Sequence, residues 1–489
     1  MKIVERERKS SRILLYILTA IIILLIWAAI PEGISELLRV KAFLLFAMYL
    51  LYIILWIKCT RAMKSLFFVF LCYTALTNAG QLFLTAFDIE ITGYVNVIEW
   101  ATETQILKAM DYQVYCTVFL ATCGLIAREN HGVAIAFEPA GEAGKTLVKR
   151  DYITLGDLIF LASGMLYTVF NIIRLETRVG SAYMDAFQSG EAKGAPFLVS
   201  MLFYISMYCA LFAHREKGDH FKKVIYAVNI VVGITGLLFG SRNVLIPMVF
   251  GILFLWNFHE MKLTLPKKIG AVFVVVFAFY IMGTFLNIRR TELSSLNLSA
   301  IADALFGAGL KEQLIATVSE MGGSLRVLTT TITAVDKGLV QSEQTFLYTF
   351  LKGVVPQVEI LDWLDIQEPV RWRLSQWITD TYGQNAGWGY SMYAEAYYNF
   401  KELGWLFMAA FGYFYAWLEC RIEKMYLKGY TVAASGWLFA AAYMIFLARA
   451  ESLLLTTRLR YSLYLGIVCA LLRNRIKFPE IRLRWKNKI

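Results

Sequence analysis

The run I-L-L-Y-I-L-T-A-I-I-I-L-L-I-W-A-A-I, from Ile13 to Ile30, carries no charged residue. A helix needs roughly 20 apolar residues to cross a bilayer, so this run is of spanning length. A membrane β-barrel would show alternating apolar and polar residues, and the run does not alternate. It also lacks a convincing small-residue cleavage site, so a removable signal peptide is not expected. The run therefore predicts a membrane-spanning helix.

Comparable runs recur along all 489 residues, of which 58% are hydrophobic and 17% are charged. Soluble domains have about 45–50% apolar and about 25% charged residues. The sequence therefore predicts an all-α, polytopic membrane protein. Twelve spans are expected, at 13–30, 41–57, 65–86, 112–127, 153–172, 196–214, 224–239, 244–258, 269–286, 403–419, 432–448 and 452–472.

The basic residues of the short loops predict the orientation of these spans. With the N-terminus inside, 29 of the 48 Lys and Arg lie in the expected cytoplasmic segments. Such an excess is typical of cytoplasmic loops. Both termini are therefore expected to be cytoplasmic, and the net charge of +11 is attributed to this bias and not to nucleic-acid binding.

One connection is much longer than the others and divides the chain into three regions. Residues 1–286 are expected to form spans one to nine, and 403–489 spans ten to twelve with a basic cytoplasmic tail. Between them, 287–402 face outward and show helical periodicity in pieces. This segment is expected to form a helical cap over the outer face, because long connections are often functional.

Several arginines are expected in the outer half of the bundle, where the positive-inside bias predicts few. They are Arg242, Arg289, Arg290, Arg449 and Arg458. Guanidinium groups bind phosphate oxygens bidentately, so a lipid-linked phosphate or pyrophosphate is the expected ligand. Simpler roles are also open: snorkelling to headgroups, ending a span, or pairing with Glu451.

The acids of the outer segment are candidates for a catalytic base. All four histidines lie on the expected cytoplasmic side, so an outer site has to use a carboxylate. Glu395 and Asp380 are the candidates nearest the membrane mouth. The alternative for Glu395 is a pairing with an arginine that holds the cap on the bundle.

The same segment is rich in aromatic residues that can pack against the C–H faces of sugars. Trp388, Tyr390 and Tyr397, with Asn399 for the hydroxyls, form the candidate glycan wall. An aromatic belt at the membrane interface would explain these residues about as well. Asp88 and Glu90 form a D-x-E that could hold a cation, but an outer loop often contains such a pair by chance, so no metal site is predicted.

With these residues in view, the chain resembles the O-antigen polymerase family (Wzy-type oligosaccharide repeat-unit polymerases). The likeness rests on the twelve-span layout, the large late outer loop and the G-S-R turn at Gly240–Arg242. It rests further on a G-x-G-x-S-x-x-x-E-x-Y-x-N-F-x-x-x-G run formed by Gly387, Gly389, Ser391, Glu395, Tyr397, Asn399, Phe400 and Gly404.

The resemblance implies a bacterial inner-membrane glycosyltransferase of the C type (GT-C) that acts on polyprenyl-pyrophosphate-linked oligosaccharides. It implies transfer of a growing chain from its lipid pyrophosphate to a lipid-linked repeat unit, without nucleotide sugar, cofactor or metal. Membrane lipid is an expected partner, and the resemblance leaves room for a chain-length regulator protein. Related ligases use an outer-loop histidine, which this chain lacks.

These inferences combine into a mechanistic hypothesis. Arg242, Arg289 and Arg290 bind the donor pyrophosphate, with Arg449 or Arg458 assisting. Glu395 or Asp380 orients or deprotonates the acceptor hydroxyl. Two alternatives remain open: a flippase or other transporter of lipid-linked oligosaccharides, and an O-antigen ligase-like transferase with the same donor and a different acceptor.

Overall fold

The computed structural model describes most of the chain. The described residues are 2–34, 36–60, 64–91, 95–132, 152–153, 155–178, 195–214, 221–238, 245–256, 309–340, 345–354, 369, 371, 373–382, 388–472 and 483–484. Apart from one pair of two-residue strands, the regular structure among them is helical. The all-α class expected from the sequence is therefore confirmed for this part of the chain.

The first half of the chain contributes nine helices and one strand to the described structure. These are α1 (Lys2–Ala28), α2 (Leu37–Thr60), α3 (Leu66–Ala86), α4 (Val97–Trp100), α5 (Glu103–His131), β1 (Tyr152–Ile153), α6 (Leu155–Arg178), α7 (Ala195–Ala213), α8 (Phe221–Leu238) and α9 (Leu245–Leu255).

The second half contributes shorter helices followed by longer ones. These are α10 (Leu310–Met321), α11 (Ser324–Asp336), α12 (Thr345–Val354), α13 (Leu374–Tyr382), α14 (Met392–Phe400), α15 (Gly404–Leu427), α16 (Thr431–Met444), α17 (Ser452–Leu472) and β2 (Leu483–Arg484). Two 3₁₀ turns, Lys401–Leu403 and Ile445–Ala448, precede α15 and follow α16.

Within the described residues, six helical segments are long and apolar enough to cross a membrane. They are Lys9–Ala28, Leu37–Thr60, Leu66–Ala86, Glu103–His131, Gly156–Ile173 and Thr431–Ala448. They coincide with the first five expected spans and the eleventh. Leu198–Ala213 and Leu245–Leu255 are shorter apolar helices. The full count of twelve spans stays a prediction, because the ninth expected span, 269–286, lies outside the described residues.

The chain divides into two compact units, each assembled from separated stretches. Unit 1 comprises Met1–Gly132, Ala308–Arg421 and Met444–Tyr461, and unit 2 comprises Val133–Gly307, Ile422–Tyr443 and Ser462–Ile489. The division into 1–286, 287–402 and 403–489 stays a prediction. Of the described helices of the long loop, α10 and α11 pack on α3, and α11 also packs on α5 of unit 1.

Close backbone contacts hold unit 1 together. A Cβ on Gly80 of α3 would lie only 2.7 Å from the Val318 carbonyl oxygen of α10, and one on Gly412 of α15 would collide with the Leu120 carbonyl of α5. Small residues of this kind let helices approach closely in membrane proteins. Gly80 thus lets α10 approach α3, and Gly412 lets α15 approach α5.

Unit 1 also contains a break in a helix that positions the residues discussed below. The 3₁₀ turn Ile445–Ala448 ends in irregular backbone before α17 begins at Ser452. The Ala448 carbonyl accepts bonds from the Thr77 hydroxyl and the Asn78 amide nitrogen of α3, both at 3.2 Å. Side chains of α3 therefore satisfy part of the polar backbone that the break releases.

Unit 2 has its own core. Helix α6 packs against α7 and α8, and the buried side chains of His214 and Asp157 pair with Nε2 and Oδ2 3.1 Å apart. Tyr204 stacks on Phe439, with ring centroids 5.7 Å apart. The strands β1 and β2 pair antiparallel in this unit.

Candidate functional site

The glycine- and tyrosine-rich run after residue 387 forms the short helix α14 in unit 1. Gly389 has a positive φ of 70°, a conformation that glycine adopts without strain. Ser391 then caps the helix, since its hydroxyl accepts a bond from the Ala394 N–H at 3.2 Å. All residues from Met392 to Asn399 are buried. The helix is therefore an internal element of unit 1.

Glu395 projects from α14 to the start of the last helix. Its Oε2 accepts a 2.7 Å bond from the backbone N–H of Ser452, and its Oε1 accepts a 2.5 Å bond from the Ser452 hydroxyl. Ser452 is the first residue of α17, so the carboxylate lies at the positive end of that helix. Its partner among the described residues is thus a helix terminus and not an arginine.

The environment of Glu395 changes its acidity. The residue is 2% exposed. Burial is the main cause that raises the pKa of its carboxyl to about 8; the charge of the nearby Glu451 acts in the same direction, and the two bonds from Ser452 oppose the shift. Glu395 therefore titrates close to neutral pH.

Glu451 repeats this arrangement at another helix. Its carboxylate accepts bonds from the Ser375 N–H at 3.0 Å and the Ser375 hydroxyl at 2.8 Å, near the start of α13. Burial raises its pKa, and the bonds from Ser375 and the charge of Arg373 act in the opposite direction. Two buried carboxylates thus connect three helices: Glu395 of α14 binds the start of α17, and Glu451, which precedes α17, binds near the start of α13.

Asn399 has a capping role of the same kind. Its side-chain oxygen accepts bonds from the Phe346 N–H at 2.9 Å and the Thr345 hydroxyl at 3.2 Å, at the start of α12. Its amide nitrogen donates to the Glu395 carbonyl oxygen at 2.8 Å. The side chain predicted to contact sugar hydroxyls thus bonds to protein groups in this structure. We call Glu395, Asn399, Glu451, Ser375 and Ser452 the Glu395 cluster.

The tyrosines of the candidate glycan wall are also buried. The Tyr390 hydroxyl lies 3.2 Å from that of Thr331, and the Tyr397 hydroxyl donates to Asp336 at 2.6 Å. Asp336 in turn pairs with Lys108 at 2.6 Å. Both tyrosine rings pack within unit 1 and expose almost no surface.

Two arginines lie beside the loop that leads into α14. The guanidinium carbon of Arg326 lies 3.7 Å from the ring centroid of Trp388, a cation–π contact. Arg449 Nη2 lies 3.8 Å from Glu320 Oε1, and its side chain is 24% exposed. The Arg449 carbonyl approaches Gly389. The side chain of Arg326 and the backbone of Arg449 therefore both lie against the segment that carries Trp388.

Arg326 was not among the candidates taken from the sequence. It lies on α11, where residues from Ser324 to Val335 are almost all buried. A charged residue within such a run is costly and usually has a partner. The run reads S-L-R-V-L-T-T-T-I-T-A-V, and its threonines hide its burial from a search for purely apolar stretches.

A connected set of aromatic rings surrounds Trp388. Ring centroids are 5.7 Å apart between Trp388 and Trp100, 6.0 Å between Trp388 and Tyr382, and 6.5 Å between Tyr382 and Trp377. Trp388 itself is 8% exposed, whereas Trp100 is 44% exposed. Trp377 and Tyr382 are half-buried. We call these four residues the Trp388 cluster.

The structure brings together only some of the predicted site residues. Glu395, Trp388, Tyr390, Tyr397, Asn399 and Arg449 belong to one connected region of unit 1. Asp380 is exposed on α13. Arg242, Arg289 and Arg290 lie outside the described residues, as does the side chain of Arg458. Asp88, of the D-x-E pair, lies 3.9 Å from Arg39.

The chain was compared with known proteins. No match was found among curated proteins or among solved structures. A family model described as O-antigen polysaccharide polymerase Wzy matches residues 12–477, which is nearly the whole chain. The resemblance inferred from the sequence is confirmed by this match. The chain therefore belongs to the O-antigen polysaccharide polymerase Wzy family, as a multi-pass membrane protein that acts in surface polysaccharide synthesis on lipid-linked oligosaccharides.

Proposed function

We propose that this protein joins oligosaccharide repeat units on the outer face of the bacterial inner membrane, with both termini in the cytoplasm. The growing glycan leaves its polyprenyl pyrophosphate and is transferred to a lipid-linked acceptor unit. The fold is of the GT-C type in this proposal, with 287–402 as the outer cap. A chain-length regulator protein is a partner.

One observation carries the proposal: the cationic side chain of Arg326, the aromatic ring of Trp388 and the acid Glu395 lie at residues 388–395, and the backbone of Arg449 approaches the same segment. Arg449 is partly exposed and contacts Glu320, and Arg326 lies against Trp388. Glu395 follows Trp388 by seven residues and is one of the buried acids of this region. The reaction requires groups that bind a lipid pyrophosphate, groups that bind a sugar, and an acid–base group.

The arginines bind the donor pyrophosphate. Arg449 is the member whose position in unit 1 supports this role, and Arg326 is added to the set. Arg242, Arg289, Arg290 and Arg458 complete the proposed clamp. Fixed guanidinium groups stabilise the charge that develops on a departing phosphate without needing to reorganise during the reaction. The proposal therefore includes no metal.

Glu395 acts as the base. The acceptor hydroxyl takes the place of the Ser452 hydroxyl on Oε1, and its proton passes to the carboxylate as its oxygen attacks the anomeric carbon. The bond from that carbon to the pyrophosphate oxygen breaks, and the pyrophosphate keeps the electron pair. The anomeric centre is inverted in a single step. A base with a pKa near the working pH is efficient in such a transfer. The exposed Asp380 is the less favoured candidate for the base.

The proposal is tested with the purified full-length protein in liposomes. Lipid-linked repeat units are extracted from producing cells in which this gene is deleted, and the products are separated by size. A ladder of polymer that forms roughly 10- to 100-fold more slowly in Arg449→Ala supports the proposal. Transbilayer movement of the substrate without a ladder assigns a flippase instead, and transfer to a different acceptor assigns a ligase-like enzyme.

A further inference from the structure

The Trp388 cluster joins segments that lie far apart in the chain, and Trp100 is its most exposed member. Trp100 ends the short helix α4, between α3 and α5. From Trp100 the rings follow one another through Trp388 and Tyr382 to Trp377, with centroids no more than 6.5 Å apart. We infer that Trp100, Tyr382 and Trp377 form a binding site for sugar rings of the lipid-linked oligosaccharide. This inference rests on the proposed function and deepens it.

Trp100 is held in place by a buried polar clamp. The Gln81 side chain accepts a bond from the Val97 N–H at 2.9 Å and donates to the Val95 carbonyl at 3.0 Å. Its amide nitrogen also donates to the Ser319 carbonyl of α10 at 3.0 Å. One fully buried amide therefore fixes the start of α4 to α3 and to the end of α10.

A second set of bonds fixes α4 itself and the opposite side of the cluster. The Asn96 side chain caps α4 by accepting from the Ile98 N–H at 3.1 Å. Across the cluster, the backbone N–H of Trp388 donates to the Thr379 hydroxyl of α13 at 3.2 Å. The rings are thus attached to hydrogen-bonded backbone on both sides, which is the preorganisation that a binding site requires.

The chemistry of the cluster fits a saccharide. A pyranose presents a C–H face that packs on an aromatic ring, and hydroxyls at its edge that need hydrogen-bond partners. Trp100 offers an exposed ring, and the indole N–H groups are donors. Asp380, exposed on α13 one turn from Trp377, offers carboxylate oxygens as acceptors.

Anchoring of the rings at the membrane interface is the competing explanation. An interfacial belt requires Trp and Tyr at the headgroup level. It does not require rings from α4, α13 and the 388–391 segment to converge, or a buried glutamine to hold one of them. An exposed carboxylate beside the rings also suits hydroxyls better than acyl chains. A saccharide is therefore the occupant that these contacts favour.

The test measures binding of a sugar that carries no lipid. Mild acid releases the repeat-unit oligosaccharide from lipid-linked precursor isolated from cells lacking this gene. Its affinity for the purified full-length protein in detergent is measured by saturation-transfer NMR titration. We expect Trp100→Ala to weaken binding about tenfold and Trp100→Tyr to stay within about threefold of the wild type, as befits loss or retention of one stacked ring.

Phe87→Ala is the matched control. Phe87 is 47% exposed in the same connection between α3 and α5, but its ring contacts Phe43 and Phe46 and not the Trp388 cluster. Its affinity is expected to equal that of the wild type. Thermal unfolding of each variant shows whether the fold is retained. Trp100→Leu separates the two explanations, because it keeps an apolar anchor and removes the ring.

The outcomes distinguish this inference from the proposed function. Unchanged affinity in Trp100→Ala, or equal losses in Trp100→Ala and Phe87→Ala, overturns the sugar site even if the wild type polymerises. Wild-type affinity in Trp100→Leu overturns it as well. If sugar binding depends on Trp100 but the protein forms no polymer, the sugar site is supported and the proposed polymerase activity is contradicted.

Discussion

The Glu395 cluster and the Trp388 cluster are joined by one short segment, yet they differ in how their side chains are used. In the Glu395 cluster, carboxylates and an amide accept bonds from the starts of three helices and are buried. In the Trp388 cluster, three of four rings retain exposed surface. Residues of the first should therefore control folding and proton transfer, and those of the second should control affinity for substrate.

The largest effect is expected from Glu395→Gln. Glutamine keeps an acceptor for the Ser452 N–H and a donor for the Ser452 hydroxyl, so the fold should survive. Loss of the base should lower the rate of polymer formation at least about 100-fold, the lower range for removal of an acid–base group. Initial rates of ladder formation and thermal unfolding of the same preparation provide the measurements.

Rates near those of the wild type in Glu395→Gln would leave Glu395 with only its capping role. Ser452→Ala is the matched control, because it removes the hydroxyl and keeps the 2.7 Å bond from the backbone N–H. In that variant the carboxylate remains, so most activity should remain as well.

The pH dependence of stability provides a separate test of Glu395. Below about pH 4.5 its carboxyl is protonated in both the folded and the unfolded chain, and above about pH 8 it is ionised in both. Between these limits the unfolded chain binds fewer protons, so stability falls as pH rises, by up to about 1.4 kcal/mol per pH unit.

Glu395→Gln should remove this component of the pH dependence. The measurement is the free energy of unfolding in detergent from pH 5 to pH 8, for the variant and the wild type side by side. Identical slopes would mean that Glu395 is already ionised in the folded protein across this range.

Arg449→Ala should have the next largest effect. Loss of one charge-assisted phosphate contact costs about 1.5–3 kcal/mol, which corresponds to a rate lower by roughly 10- to 100-fold. Arg449→Lys should recover part of the rate, since lysine keeps the charge and loses the bidentate geometry. The measurement is kcat/KM for lipid-linked repeat units.

A matched arginine outside the proposed site provides the comparison for Arg449. Arg39 is partly exposed on α2 and pairs with Glu36 and Asp88, so Arg39→Ala should leave kcat/KM unchanged. Equal losses in the two variants would assign the effect to overall charge and not to a phosphate clamp.

Asn399→Ala should act on stability more than on catalysis. It removes the cap of α12 and leaves the Phe346 N–H without its acceptor, at an expected cost of about 1 kcal/mol. Asn399→Asp should retain most of that stability, because a carboxylate also accepts at a helix start. Unfolding midpoints check this, and a large increase in KM without loss of stability would instead support the predicted sugar contact.

The smallest effect is expected from Asp380→Asn. An amide still bonds to sugar hydroxyls, so affinity for the soluble oligosaccharide should fall by only about threefold, with kcat nearly unchanged. A loss of kcat comparable to that of Glu395→Gln would transfer the role of base to Asp380.

The sequence predicted the helical class and the family because both depend on features readable along the chain. Uninterrupted apolar runs predict spans. The residues of the family motif around Glu395 lie close together in the chain, so their spacing can be recognised locally. The alternative role predicted for Glu395 was a pairing with an arginine, and its partner in the structure is Ser452 instead. Ser452 lies 57 positions away and is an ordinary serine, made important only by its place at the start of α17.

The Trp388 cluster shows a second limit. Trp388 was a candidate from its local composition, but Trp100 and Arg326 come from α4 and α11, and no local pattern connects them with Trp388. The clamp formed by Gln81 depends on contacts across more than 200 positions. Long-range packing, not local propensity, determines which side chains share the site.

The central claim is that the 388–395 segment serves glycan polymerisation through Glu395. It is tested most directly by adding lipid-linked repeat units to liposomes that contain either the wild type or Glu395→Gln, with equal amounts of folded protein. We expect a polymer ladder for the wild type and at least about 100-fold less polymer for the variant. A full ladder from Glu395→Gln, or no ladder from the folded wild type, would contradict it.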